Sequence, residues 1–225
     1  MKFEAIIFDF DGVLLESEFA GNRHLAELLT RLGHDTSTEE ALTDFVGLGG
    51  QDFLDAVERR IGGPLPDEFR VRRAEEDARV LREGLEPVAG AVEFVRSLPQ
   101  DLPKAVASSS TTRWIERHLD HLGLGDVFGS MIFSGREHVA RGKPAPDIYL
   151  HAASALGVDI KRTVILEDSP VGVTGAVASG ACVIGLAAGS HCLEGHGDRL
   201  KAMGAHHVAD SFSQVTRLLQ LMTAS

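Results

Sequence analysis

Two cysteines in 225 residues, Cys182 and Cys192, are too few to staple a fold. Cys182 lies in an apolar run and Cys192 in a loop rich in Gly and His. So sparse a pair suits a reducing compartment. Long apolar runs are also missing, so no segment reaches the length of a membrane span. Acids interrupt the N-terminal apolar stretch at once, which leaves no signal peptide to read. Basic charge is scarce: 22 Lys and Arg stand against 33 Asp and Glu, for a net charge of −11. That balance argues against nucleic acid as a partner, because phosphate backbones need a basic face. It does not argue against a small anionic substrate, since a local lysine and a metal ion reverse the field inside a pocket. The expectation is a cytoplasmic monomer without membrane or nucleic-acid partners. Lysine is absent altogether from residues 16–86.

What is present is ordered by hydrophobic period. Ala5-Ile6-Ile7-Phe8 reads as a strand buried on both faces, and it ends in Asp9-Phe10-Asp11-Gly12. Residues 16–86 then contain helical patterns and no convincing strand. Leu25, Leu28, Leu29 and Leu32 share one helix face, and Phe53, Leu54, Val57 and Ile61 share another. A third helix, rich in Arg and Glu, spans about 66–82. From Pro87 onward the pattern alternates. A helix carrying Val88, Val92, Val95 and Leu98 precedes a strand at Lys104–Ala107. Further strands are expected at Met131–Phe133, Val164–Leu166, Cys182–Ile184 and His207-Val208, with helices between the later ones. Alternation of this kind implies an α/β fold with a doubly wound parallel sheet. The first strand belongs to that sheet, so the helical block is an insertion. The expected domains are 1–15 with 87–225, and an inserted α-helical domain over 16–86. The Gly- and Ala-rich helix near Pro170–Gly180 implies close packing on the sheet.

Four polar segments fall at or after the carboxyl ends of these strands, where open α/β sheets bind ligands. They are Asp9 and Asp11; Ser108-Ser109-Ser110; Lys143 in Gly142-Lys143-Pro144-Ala145-Pro146-Asp147; and Glu167-Asp168-Ser169. Singly, each has a plain explanation as a turn, a helix cap or surface. Four coincidences in order on one sheet edge do not. Two acids beside a glycine turn can hold a metal, attack an electrophile or move protons. The segment from Gly189 through His196, and the pair His206-His207, fit no standard zinc spacing.

Asp9-Phe10-Asp11-Gly12-Val13, Ser108, Lys143-Pro144-Ala145-Pro146-Asp147 and Leu166-Glu167-Asp168-Ser169 resemble the four motifs of the haloacid dehalogenase superfamily. Order and spacing match over nearly the whole chain. The helical insertion and the long third motif resemble the branch of β-phosphoglucomutase and small sugar-phosphate phosphatases.

The resemblance implies a mechanism. Asp9 is the nucleophile that forms an aspartyl phosphate. Asp11 protonates the leaving alcohol and later takes a proton from water, a role favoured by a raised pKa from a nearby like charge and partial burial. Lys143 supplies fixed positive charge, while Ser108 and the amide of Ser109 bind the phosphoryl group. Asp9, the backbone carbonyl of Asp11, and Asp168 hold Mg2+, with Glu167 acting through water. The family's dehalogenases lack the second acid of the first motif, so Asp11 and Asp168 point to phosphoryl chemistry.

The helical block implies a cap with hinges near Leu14–Ser17 and Glu86–Gly90, closing over a small phosphorylated metabolite such as a sugar or sugar-acid phosphate. Gly47, Gly49 and Gly50 form its substrate-specificity loop. The alternatives are a hexose phosphomutase and a non-catalytic phospho-aspartate switch or scaffold. Against the mutase, this chain has Gly21 and Gly50 where that enzyme carries a His and a phosphate-gripping Arg. The lysine-free insertion counts against the family's Schiff-base phosphonatase branch. Arg72 or Arg73 is a possible distal anion contact, although Arg among many Glu on a helix is more often solvated.

Overall fold

The computed structural model describes residues 3–46, 48 and 50–224. Six parallel strands form one sheet. They are β1 (Ala5–Phe8), β2 (Lys104–Ser108), β3 (Ile132–Ser134), β4 (Thr163–Glu167), β5 (Cys182–Leu186) and β6 (His207–Ala209). Their spatial order is β3-β2-β1-β4-β5-β6. The chain builds outward from β1 in one direction through β2 and β3. It then returns to the other side of β1 for β4, β5 and β6. The direction of winding therefore reverses between β1 and β4, and the crevice at such a switch point is where open sheets bind ligands. All four residues of β1 are fully buried, which explains their unbroken apolar run.

Register brings the motif residues level. Phe8 pairs with Val106 on one side and with Leu166 on the other. Asp9 then donates its N–H to the Leu166 carbonyl at 2.9 Å, so the strand end carrying Asp9 is tied to the one carrying Glu167. Between the strands run α5 (Ala91–Ser97), α6 (Thr112–His121), α7 (Gly125–Phe128), α8 (Asp147–Leu156), α9 (Pro170–Ser179) and α10 (His196–Ala202), followed by α11 (Phe212–Ala224). Ile7, Ala105, Ile165 and Val183 of the sheet pack with Tyr149 and Ala152 of α8 and Val173 and Ala176 of α9 in one apolar cluster. Val88 precedes α5 rather than belonging to it.

Residues Ser17–Leu85 form a separate compact unit. It contains α1 (Ser17–Arg31), α2 (Thr38–Phe45), α3 (Gly50–Ile61) and α4 (Asp67–Glu83). Leu25, Leu28, Leu29, Ala41, Phe45, Val57 and Phe69 form its own core. Helix α2 is a difference from the sequence expectation. Its signal is a capping box, in which Ser37 accepts from the Glu40 N–H while the Glu40 side chain accepts from the Ser37 N–H. Gly50 opens α3 instead of sitting in a loop, and Gly47 and Gly49 lie outside the described residues. Among the described residues no helix is long and apolar enough to cross a membrane.

At the edge of the sheet-bearing unit two chain segments run side by side. The Glu16 N–H donates to the Glu86 carbonyl at 3.0 Å, and the Val88 N–H donates to the Leu14 carbonyl at 3.1 Å. The two ends of the insertion are thereby held together.

Phe45 tests whether α2 belongs to a real core. It is 3% exposed and meets Phe53 edge-to-face, with centroids 6.1 Å apart. Phe45→Ala is expected to cost about 3–5 kcal/mol, read from the urea midpoint of the unit that contains it.

Candidate active site

Lys143 lies in the loop between β3 and α8, and its ammonium is buried between two carboxylates. Nζ donates to Asp9 Oδ1 and to Glu167 Oε1, each at 2.5 Å. The three side chains are 5%, 8% and 0% exposed, so this is an interior ion cluster and not a surface bridge. Burial alone pulls the Lys143 pKa down, but Asp9 and Glu167 more than offset it and hold the ammonium well above its ordinary value. Nζ also lies 5.2 Å from the centre of the Tyr149 ring.

Glu167 is satisfied on both oxygens. Oε1 accepts from Lys143 and from the Tyr149 hydroxyl at 2.8 Å. Oε2 accepts from the N–H and the hydroxyl of Ser169, both at 3.0 Å. Ser169 also caps α9 by accepting from the Gly172 N–H. A Cβ on Gly172 would collide with the Glu167 carboxyl group, and one on Gly175 would lie 3.0 Å from the Pro144 and Ala145 carbonyl oxygens. The glycines of α9 thus admit the Lys143 loop and the Glu167 side chain to close approach.

Asp11 occupies a neighbouring polar pocket. Its Oδ2 accepts from the hydroxyls of Ser108 at 3.1 Å and Ser110 at 2.6 Å. Its Oδ1 accepts from the Trp114 indole N–H at 3.1 Å. Ser108 also accepts from the Ser110 N–H at 2.9 Å, which fixes the turn after β2. Ser109, between these two, is exposed. Gly12 follows with φ +82°, and a Cβ there would strike the Asp168 carboxyl group, so both conformation and space demand glycine.

Asp168 closes the cluster. Oδ2 lies 2.9 Å from His191 Nε2, while Oδ1 is buried with no hydrogen-bond partner. Burial, with Glu167 second, pushes the Asp168 pKa well up; burial does the same to Asp9 despite the opposing Lys143. Ligand oxygens of Asp9, Glu167 and Asp168 come within 4.8 Å of one another. Three buried carboxylates against one ammonium, with an orphaned oxygen among them, fit a hard divalent cation. The all-oxygen donor set suits Mg2+ better than Zn2+. A second group, His191, Cys192 and His196, also brings its ligand atoms within 4.8 Å. It does not suit a metal as arranged. His196 has both ring nitrogens engaged, with the Asp168 carbonyl and with Arg199, and burial pushes the Cys192 thiol up to about 12.

Comparison with known proteins identifies the family. The sequence profile of haloacid dehalogenase-like hydrolases matches residues 3–180. The chain belongs to the haloacid dehalogenase-like hydrolase family. It is 28% identical over 192 residues to the 6-phosphogluconate phosphatase of Escherichia coli K12, covering 84% of this chain and 85% of that one. It is 34% identical over 187 residues to the phosphorylated carbohydrates phosphatase of Thermotoga maritima, covering 79% and 82%. A haloacid dehalogenase family hydrolase from Deinococcus radiodurans R1, solved with bound phosphate and sodium, superposes with a TM-score of 0.84 at 30% identity, covering 98% of this chain and 96% of that one.

Within this haloacid dehalogenase-like chain, the residues expected from the sequence fall into two adjoining groups. Asp9, Lys143, Glu167 and Asp168 share the buried cluster, and Asp11 and Ser108 share the pocket beside it. Arg72 pairs with Glu68 and Glu75 on an exposed face of α4, and Arg73 lies over the Phe53 ring within the helical unit. Sequence reasoning placed Ser110 in the second polar segment without a role, and missed Trp114, Tyr149 and the contact of His191 with Asp168. Trp114 and Tyr149 are the only tryptophan and the only tyrosine in the chain. Both send a polar end to a site carboxylate, and that scarcity was a usable signal.

Gly172→Ala is the sharpest structural test. Helix propensity favours Ala by about 1 kcal/mol. A partial shift of Glu167 that loses one of its four donors costs a charge-assisted hydrogen bond, worth about 1.5–3 kcal/mol. The expected result is a net loss of about 1–3 kcal/mol by thermal unfolding, with activity falling in parallel.

Proposed function

We propose that this protein is a Mg2+-dependent phosphomonoesterase that hydrolyses a small phosphorylated metabolite, a sugar or sugar-acid phosphate, through an aspartyl phosphate on Asp9. The observation that carries the reading is the pairing of two differently held acids at the end of β1. Asp9 is bonded to a buried ammonium, and Asp11 accepts from two hydroxyls and an indole N–H. One suits attack on phosphorus and the other suits proton transfer. The phosphatase relatives supply the substrate class.

In the first step an Asp9 carboxylate oxygen forms a bond to phosphorus while the phosphorus–oxygen bond to the sugar breaks. Asp11 gives its proton to the departing oxygen, so the product is an alcohol. In the second step water attacks the aspartyl phosphate and passes a proton to Asp11. Inorganic phosphate leaves and both acids are restored. Lys143 fixes Asp9 and offsets negative charge on the phosphoryl oxygens. Ser108 and the Ser109 amide lie at the same strand end, where a phosphoryl group would meet them. Asp9, the Asp11 carbonyl and Asp168 would hold Mg2+, with Glu167 behind them. Bound there, the ion supplies positive charge against the repulsion between the Asp9 carboxylate and the phosphoryl oxygens. Phosphoryl transfer is mostly positioning and charge stabilisation, and these groups serve both. We assign Ser17–Leu85 the cap role that selects the substrate.

Phosphate release from a panel of sugar phosphates and p-nitrophenyl phosphate, with Mg2+ and with EDTA, tests the reading. Release that depends on the metal and ranks sugar or sugar-acid phosphates first is the expected result. Dependence on a sugar bisphosphate activator would indicate a mutase instead. Asp9→Asn should reduce turnover to background while leaving thermal unfolding intact; near-normal turnover would overturn the nucleophile assignment. Asp11→Asn should lower kcat on alkyl phosphates by about 10²–10⁴. It should cost far less on p-nitrophenyl phosphate, whose leaving group needs no proton.

A further inference from the structure

Asp168 is gripped by two histidines that lie in none of the four motif segments. His191 faces its side chain, with Nε2 2.9 Å from Oδ2. His196 faces its main chain, with Nε2 2.6 Å from the Asp168 carbonyl oxygen. That carbonyl can only accept, and the Arg199 guanidinium, 3.3 Å from His196 Nδ1, can only donate. His196 is therefore a neutral ring with its proton on Nε2. The two imidazoles meet edge-to-face, with centroids 5.6 Å apart and planes at 84°. Cys192 Sγ lies 3.4 Å from the same His191 Nε2.

The space for this clamp is built by glycine. A Cβ on Gly189 would lie 2.6 Å from the His191 ring, and a Cβ on Gly12 would lie 2.9 Å from His191 Cε1 besides striking Asp168. His191 is 1% exposed at its side chain, so its orientation is set by packing. Between these walls Asp168 has one engaged oxygen and one buried oxygen without a partner.

We propose that His191 is a positioning residue for the metal site: its contact with Oδ2 turns Asp168 so that Oδ1 is the ligand oxygen, while His196 holds the backbone behind it. The inference rests on the reading of Asp168 as a Mg2+ ligand. A carboxylate with both oxygens free can rotate and bind through either one or both. Mg2+ demands near-ideal octahedral geometry, so fixing the rotation matters more for it than for a larger, more tolerant ion. Hydrogen-bond partners of metal ligands commonly change metal affinity by about 10–100-fold when removed.

The test is isothermal titration of the metal-free, full-length protein with Mg2+, comparing wild type, His191→Gln, His191→Asn and Asp168→Asn. The Gln amide nitrogen reaches the place of Nε2, whereas the Asn amide stops at the place of Nδ1. Wild type and His191→Gln are expected to bind with similar affinity, and His191→Asn about tenfold or more weakly. Asp168→Asn should bind least. Thermal unfolding in EDTA should rank His191→Asn beside His191→Gln, which separates metal positioning from general packing. Equal Mg2+ affinity for wild type and His191→Asn would overturn the role of His191 while leaving Asp168 as a ligand. Failure of the wild type to take up Mg2+ would instead remove the ligand reading of Asp168, and this proposal with it.

Discussion

The buried ammonium of Lys143 is the constraint around which the rest of this structure is arranged. An isolated charge inside a protein is too costly to keep, so Lys143 must be met by acids, and the acids by it. Asp9 and Glu167 meet it directly. They come from the ends of adjacent strands, β1 and β4, whose register sets them side by side. The loop carrying Lys143 reaches them because glycines of α9 leave it room. Strand register, loop path and helix composition are thus three consequences of one electrostatic requirement. The cluster is also overfilled with negative charge, which leaves Asp168 with a buried, unpartnered oxygen and the site prepared for a divalent cation.

The second acid of the first motif lives under different rules. Asp11 sits two residues beyond Asp9 yet faces neutral donors: two hydroxyls on Oδ2 and an indole N–H on Oδ1. The strand direction and the turn at Gly12 send the two side chains into different surroundings. A nucleophile must be held in line with phosphorus, whereas a proton carrier must be able to change state. Two carboxylates of identical chemistry are separated in role by what donates to them, which is the pattern expected of a phosphoryl-transfer pair.

Much of the fold was legible because its signals are periodic or local. Continuous apolar runs marked the central strands, since a parallel sheet is covered on both faces. The alternation after Pro87 implied the doubly wound sheet, and Gly- and Ala-rich α9 implied the close approach that Gly172 and Gly175 make. Helix α2 was less visible because its eight residues hold few apolar positions, although the Ser37–Glu40 capping box was there to be read. Helix α3 begins at Gly50, a residue that the sequence pattern assigns to the preceding loop.

By itself the sequence determined the sheet, the helical insertion and the four polar segments at the strand ends. Those follow from local composition, hydrophobic period and order along the chain, and none requires knowing which distant residues touch. Only the tertiary structure decided which oxygen of each acid is engaged and by what. Trp114 reaches Asp11 across 103 positions, and Tyr149 reaches Glu167 across 18. His191 reaches Asp168 through a loop whose small residues carry no period. Such contacts depend on side-chain direction and on the space left by absent side chains at Gly12, Gly172 and Gly189. A few tenths of an ångström decide them, and one-dimensional spacing carries no information at that scale.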